Sequence, residues 1–159
     1  MLAAIIFLIP LASPCLAWSI AGRPRIVDGD TIRIARQRIR LFGIDAPESK
    51  QTCTRGGRAY ACGKDATLAL AHLIGKNRVY CHPRDRDRYG RIVAVCDAGG
   101  PDGPDINAGM VGEGWALAYR HYSMKYVPLE NEARKARRGL WAGTFVKPWV
   151  WRHRRSQDF

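Results

Sequence analysis

The spacing of apolar residues changes several times along this chain. In residues 25–44, Ile, Val, Thr and Leu dominate, and apolar and polar positions alternate in Thr31-Ile32-Arg33-Ile34 and again in Arg38-Ile39-Arg40-Leu41. Ala35-Arg36-Gln37 interrupts the alternation, so the pattern predicts a hairpin with one buried face. Between residues 58 and 74 the period becomes helical, with Ala59, Ala66, Leu70, Leu73 and Ile74 on compatible spacing and Gly75 as a stop. Residues 78–82 and 91–97 read as a second hairpin around the turn-rich stretch 84–90. Gly99-Gly100-Pro101-Asp102-Gly103-Pro104 is loop. A short helix over 106–112 follows, capped by Asp105 or Asn107, and residues 115–119 form a short strand or extended turn. The clearest helix spans 128–138. Pro128 suits its first turn, Leu129, Ala133 and Ala136 share a face, basic residues load its last turn, and Gly139 ends it. Alternating strands come early, and the helices cannot act as crossovers of a parallel sheet. The class is therefore α+β, with a small barrel and appended helices fitting the length.

The first 22 residues carry no charged side chain, and residues 2–11 are almost wholly apolar. This is the h-region of a secretory signal, with Ala17 at a plausible cleavage edge, and residues 1–17 are expected to be removed on export. Pro10 and Pro14 argue against the alternative of an uncleaved membrane anchor. Of the 159 residues, 26 are Lys or Arg and 14 are Asp or Glu, a net charge of +12 that lies wholly after this segment. Such a balance favours polyanions without choosing among nucleic acid, lipid and polysaccharide. Beyond Cys15 there are four cysteines. The second hairpin sets Cys81 roughly opposite Cys96, and Cys53 and Cys62 flank a Gly-rich loop, which predicts Cys53–Cys62 and Cys81–Cys96 disulfides. The rival zinc site lacks a CxxC knuckle. The expected address is the periplasm or the medium.

Chemistry concentrates in Asp28-Gly29-Asp30-Thr31 and in the run from Arg40 to Asp45-Ala46-Pro47-Glu48. If the two strands pair, Asp30 and Asp45 meet at one end of the hairpin, where two carboxylates make a hard-oxygen site for a divalent ion. Arg40 enters the same neighbourhood and Glu48 follows one turn later. Carboxylates, a cation and guanidinium groups together suit phosphoryl chemistry. Asp85 to Arg91 alternates charge as a solvated turn would, but Arg91 begins the outgoing strand with a planar fork matched to phosphate.

These residues resemble the thermonuclease, or staphylococcal nuclease-like, family. The matching stretches are Val27-Asp28-Gly29-Asp30-Thr31, Arg40 five positions before Asp45, Asp45-Ala46-Pro47-Glu48 and Arg88-Tyr89-Gly90-Arg91. Others are Asn107 to Gly114 with Trp115-Ala116, Ala118-Tyr119-Arg120, and Glu132-Ala133-Arg134 through Gly139-Leu140-Trp141. The resemblance implies a five-stranded OB-fold barrel with about three packed helices, over residues 25–145. It further implies Ca2+-dependent hydrolysis of phosphodiester bonds in DNA and RNA, leaving 3′-phosphate ends. Asp30, Asp45 and the backbone carbonyl of Ala46 would hold calcium, and Glu48 would activate water. Arg40 and Arg91 would stabilise the phosphate in the transition state, and Tyr89 and Tyr119 would line the nucleotide site.

The four cysteines and the tail, residues 146–159, depart from the family pattern. The tail mixes tryptophans with basic side chains, either as an extra strip for nucleic acid or as a cover for the barrel. His72, His82, His121 and His153 show no metal-ligand spacing and receive no catalytic role. Two readings compete with the nuclease: a non-catalytic OB-fold module that holds single strands, and an envelope protein that uses its basic surface on anionic lipid. No obligate protein partner is called for. The expectation is a monomer that meets a membrane only through an uncleaved N-terminal segment.

Overall fold

The structure is a computed structural model that describes residues 19–157. The signal segment 1–17 and Cys15 lie outside the described residues. Among these residues, no helix is long and apolar enough to cross a membrane.

Among the described residues, ten strands and four α-helices follow one another. Strands β1 (Ile20–Gly22), β2 (Arg25–Asp28), β3 (Thr31–Ile34), β4 (Gln37–Leu41) and β5 (Ile44–Asp45) precede the small hairpin β6 (Cys53–Arg55) and β7 (Arg58–Tyr60). Helix α1 (Cys62–Ile74) leads to β8 (Val79–Arg86) and β9 (Ile92–Ala98), then to α2 (Ile106–Gly112), β10 (Leu117–Ala118), α3 (Val127–Lys135), a 3-10 turn at Gly139–Ala142 and α4 (Pro148–Gln157).

The main sheet has the order β1-β8-β9-β4-β3-β2. Its two ends are consecutive pieces of one extended segment: β1 pairs antiparallel with β8, and β2 pairs antiparallel with β3. Arg23-Pro24 separates them, and proline, having no N–H, interrupts a ladder at such a corner. One bent segment thus pairs at both edges and closes the sheet. Counted as a single strand, it makes this the five-stranded barrel of an OB-fold. Between β4 and β9 the pairing is parallel, whereas β8 and β9 form the long antiparallel hairpin.

Alternation along β3 and β4 works as the sequence implies. Ile32, Ile34, Ile39 and Leu41 point into the barrel and are buried, while Arg33 and Arg38 face outward. Leu70 and Ile74 of α1 and Met110 and Val111 of α2 join the same core. A smaller apolar cluster gathers Cys53, Cys62, Leu117 and Leu140, with Trp115, Trp141, Phe145 and Trp149 against it.

Five elements differ from expectation. The first hairpin is a three-stranded meander, because residues 25–28 pair with β3 as well. Helix α1 starts at Cys62 instead of residue 58, since residues 58–60 pair back onto 53–55 across the Gly56-Gly57 turn. Strand β8 runs on to Arg86 through an irregularity at Pro83/Asp85, its last residues exposed but still paired with β9. Helix α3 stops at Lys135, because Arg137 takes a left-handed φ of 52° that no helix accommodates. The tail, for which no secondary structure was expected, is largely the helix α4.

Both expected disulfides are present. Cys53–Cys62 joins β6 to the start of α1 with a Cα separation of 5.6 Å, and Cys81–Cys96 crosses between directly paired positions of β8 and β9.

Candidate active site

The site forms where the turn after β2 meets the end of β4 and the loop after β5. Asp28-Gly29-Asp30 makes a tight turn in which the Asp30 amide donates to Asp28 Oδ1 at 3.1 Å. Gly29 is required there: a Cβ on it would stand 2.8 Å from the Ala46 Cβ and 2.9 Å from that of Ala66. The close approach lets Asp30 reach across the barrel mouth, where its Oδ2 accepts the Ala46 amide at 3.1 Å. Its Oδ1 accepts the Thr31 hydroxyl and Arg40 Nη1, each at 3.0 Å.

Arg40 is the centre of the arrangement. It lies opposite Thr31 on the outer face of the sheet, and its second arm, Nη2, donates to Asp45 Oδ1 at 2.6 Å. Asp45 is fully buried on the short strand β5, which β10 holds through Leu117. Burial, and then the neighbouring Asp30 charge, push the Asp45 carboxyl above the ordinary carboxylate range, against the opposing pull of Arg152 and Arg40. Asp28 is raised to about 6 by the same two causes, burial first. Burial disfavours the charged form of Arg40, but Asp30 and Asp45 outweigh it and raise its pKa. Three aspartates therefore crowd a buried corner at which negative charge needs compensation.

Glu48 stands at the rim of this corner, half-buried. Its position is set by Gln51, a fully buried side chain whose Oε1 accepts the Glu48 amide at 3.3 Å and whose backbone amide donates to the Glu48 carbonyl at 2.7 Å. Gln51 Nε2 also donates to the Val146 carbonyl at 2.7 Å, tying this loop to the chain that leads into α4. Gly63, the second residue of α1, lets the helix abut the loop, since any Cβ there would overlap the Glu48 carbonyl.

From α4 comes Arg152, a residue that the sequence reading left inside an undifferentiated basic tail. Its Nη2 donates to Asp45 Oδ2 at 2.8 Å, and Nη1 is shared between Asp45 Oδ1 at 3.1 Å and Glu48 Oε1 at 2.7 Å. Burial alone would lower its pKa, but Asp45 and then Glu48 raise it. Two guanidinium groups thus meet on Asp45, and one of them also holds Glu48. Upstream on α4, Trp149 stacks on Tyr119 at 5.5 Å between ring centroids, next to Tyr122 and His121. No local signal marks Arg152.

Arg91 is on the same outer face, one residue before β9, but it does not join the carboxylate network. Asp87 holds it, accepting from its Nε at 2.7 Å and from its backbone amide at 3.0 Å. Partial burial would raise the Asp87 pKa, yet the Arg91 hydrogen bonds prevail and lower it. Tyr89 is largely exposed, with Arg88 and Arg91 over its ring. Tyr119 is half-buried in the aromatic cluster with Trp149.

The donor set suits a hard divalent cation. Asp30 and Asp45 supply carboxylate oxygens, each with lone-pair capacity beyond its present partners. Among the described residues, no three His, Cys, Asp or Glu side chains converge as a cage. Two carboxylates and a backbone carbonyl, completed by water and phosphate oxygens, would be the protein's contribution.

A barrel of this topology, with paired acids, an arginine across them and a rim glutamate, defines a class of phosphodiester-processing OB-fold proteins. The family profile described as staphylococcal nuclease homologue matches residues 38–143, and the chain belongs to that family. It is 41% identical over 150 residues to an uncharacterized endonuclease of Escherichia coli, covering 89% of this chain and 91% of that protein. It is 38% identical over 165 residues to Protein ParB of Escherichia coli, covering 94% and 88%. With a micrococcal nuclease of Shigella flexneri it shares 41% over 143 residues, covering 80% and 77%.

Proposed function

We propose that this protein is an exported, calcium-dependent nuclease that hydrolyses phosphodiester bonds of DNA and RNA and leaves 3′-phosphate ends. The observation that carries this reading is Arg40 bridging Asp30 and Asp45, with Glu48 fixed at the same mouth. Calcium bound by Asp30, Asp45 and the Ala46 carbonyl would neutralise phosphate charge and polarise the phosphorus centre. Arg40 on β4 and Arg91 just before β9 would offer planar guanidinium groups to the scissile phosphate. Glu48 would accept the proton of a water whose oxygen attacks phosphorus as the bond to the 5′-oxygen breaks; that oxygen takes a proton from solvent water, and Glu48 returns its own to solvent. Tyr89 and Tyr119 would offer ring faces for the adjoining nucleotides. The disulfides suit an oxidising compartment, in keeping with export.

The test is cleavage of a labelled single-stranded oligonucleotide by the purified, oxidised protein, with calcium, with EGTA, and with Glu48→Gln. Calcium-dependent cutting that falls by about 100-fold or more in the variant, with binding retained, is the expected outcome. Tight binding without cutting by the wild type would replace the nuclease with a non-catalytic binding module.

A further inference from the structure

Cross-strand register assembles a row of arginines that the catalytic reading does not use. Arg25 on β2 lies directly opposite Arg33 on β3, and Arg33 lies directly opposite Arg38 on β4. Directly paired residues project from the same face of a sheet, and all three are exposed on the outer face. Arg40 is two residues along β4 from Arg38 and so shares that face. The parallel register Ile39↔Ile92 and Arg40↔Val93, continued by one residue, brings Arg91 alongside Arg38. A cavity of about 250 Å³ opens between these strands, and Arg36, Arg38, Arg86 and Arg91 line it with Gln37 and Tyr89. No carboxylate is among its lining residues.

Like charges facing one another across strands destabilise a sheet. Relief would normally come from interleaved acids, as Asp87 provides for Arg91. Among the described residues, Arg25, Arg33, Arg36 and Arg38 have no ion pair or hydrogen bond of their side chains. The row spans about 10 Å at the usual strand spacing. That is room for at least two phosphates of one nucleic-acid strand.

We propose that Arg25, Arg33 and Arg38, with Arg36 at the cavity, form a second binding site for the sugar–phosphate backbone of a nucleic-acid strand. It would continue the catalytic face across β4, β3 and β2 and hold the strand that flanks the cleaved phosphate. The contacts are to phosphate, so the site reads no base sequence. The proposal rests on the nuclease reading for its purpose, but its binding test does not depend on cleavage.

In EGTA and on a Glu48→Gln background, binding of a labelled oligothymidine 20-mer is measured against salt, with and without Arg33→Gln/Arg38→Gln. Removing like-charged neighbours should not harm folding, which a thermal melt checks. The expected result is a salt slope smaller by about 1.4, from two lost contacts at about 0.7 each on a single strand. Hydrolysis of a p-nitrophenyl phosphodiester of one nucleoside, too short to reach the row, should be unchanged in an otherwise wild-type protein carrying the two substitutions. An unaltered slope would overturn the site. So would a double variant that loses binding to phosphatidylserine vesicles but not to the 20-mer, since the row would then serve a membrane. Loss of the nuclease reading would show separately, as a wild type that cannot cleave the small diester.

Discussion

Arg152 shows how one guanidinium acts on two carboxylates at once. Its fork sits on both oxygens of Asp45 and on one of Glu48, so it fixes the rim carboxylate relative to the buried one. Lysine keeps the charge but offers a point donor on a flexible stem, unable to reproduce that geometry. We expect Arg152→Lys to lower turnover by up to about 100-fold, because small misplacements of a reacting group cost that much. Nucleic-acid affinity in EGTA should change little. A parallel loss of affinity and turnover would instead make Arg152 a substrate contact. At this scale the sequence was most legible for Asp30, Arg40, Asp45 and Glu48, which lie within 19 residues of one another and which the structure gathers at one mouth. Arg152 was not legible, because its partners lie 104 and 107 residues away, nor was the tie of Gln51 to Val146, 95 residues on; no local pattern marks either.

Among the elements, helices α1 and α4 have the closest bearing on the loop carrying Glu48. Helix α1 approaches so closely that Gly63 has no space for a side chain, and α4 is tethered through Gln51 and through Trp149 on Tyr119. Gly63→Ala should therefore displace the loop and destabilise the fold by about 1–3 kcal/mol, the usual range for overpacking. Urea unfolding measures the loss, and turnover should fall more than the remaining folded fraction explains. An alanine tolerated without either effect would mean that the loop position is not set by α1. The helical period of residues 62–74 was readable, but the strand at its entrance was not. Residues 58–60 are compatible with a helix and become a strand because 53–55 present a free edge for pairing. The tail gave no helical signal because Trp149-Val150-Trp151 is followed by consecutive basic residues, leaving no apolar stripe at helical spacing.

For the whole molecule, barrel closure and covalent staples bear on stability together. Cys81–Cys96 closes 15 residues across β8 and β9, and Cys53–Cys62 closes 9 residues against the smaller apolar cluster. Removing the first by paired Cys→Ser substitution should cost about 3 kcal/mol in the chain-entropy account. The second should cost somewhat less, since its loop is shorter. Thermal or urea unfolding of the oxidised protein against each variant gives the comparison; no change in either would show that the barrel core alone sets the stability.

The sequence by itself determined what short-range chemistry determines. It showed the alternation that buries Ile32 and Ile39, the turn that carries Asp30, the opposed cysteines of the second hairpin and a charge suited to polyanions. Each follows from side-chain type at a spacing of a few residues, where periodicity maps directly onto geometry. Tertiary structure alone decided that one segment bends at Pro24 to pair with both edges of the sheet. It also stacked Arg25, Arg33 and Arg38 in a row across three strands and brought Arg152 onto Asp45 from the far end of the chain. These depend on register and on packing between distant segments, which are set by the free energy of the entire barrel and leave no mark in any local window.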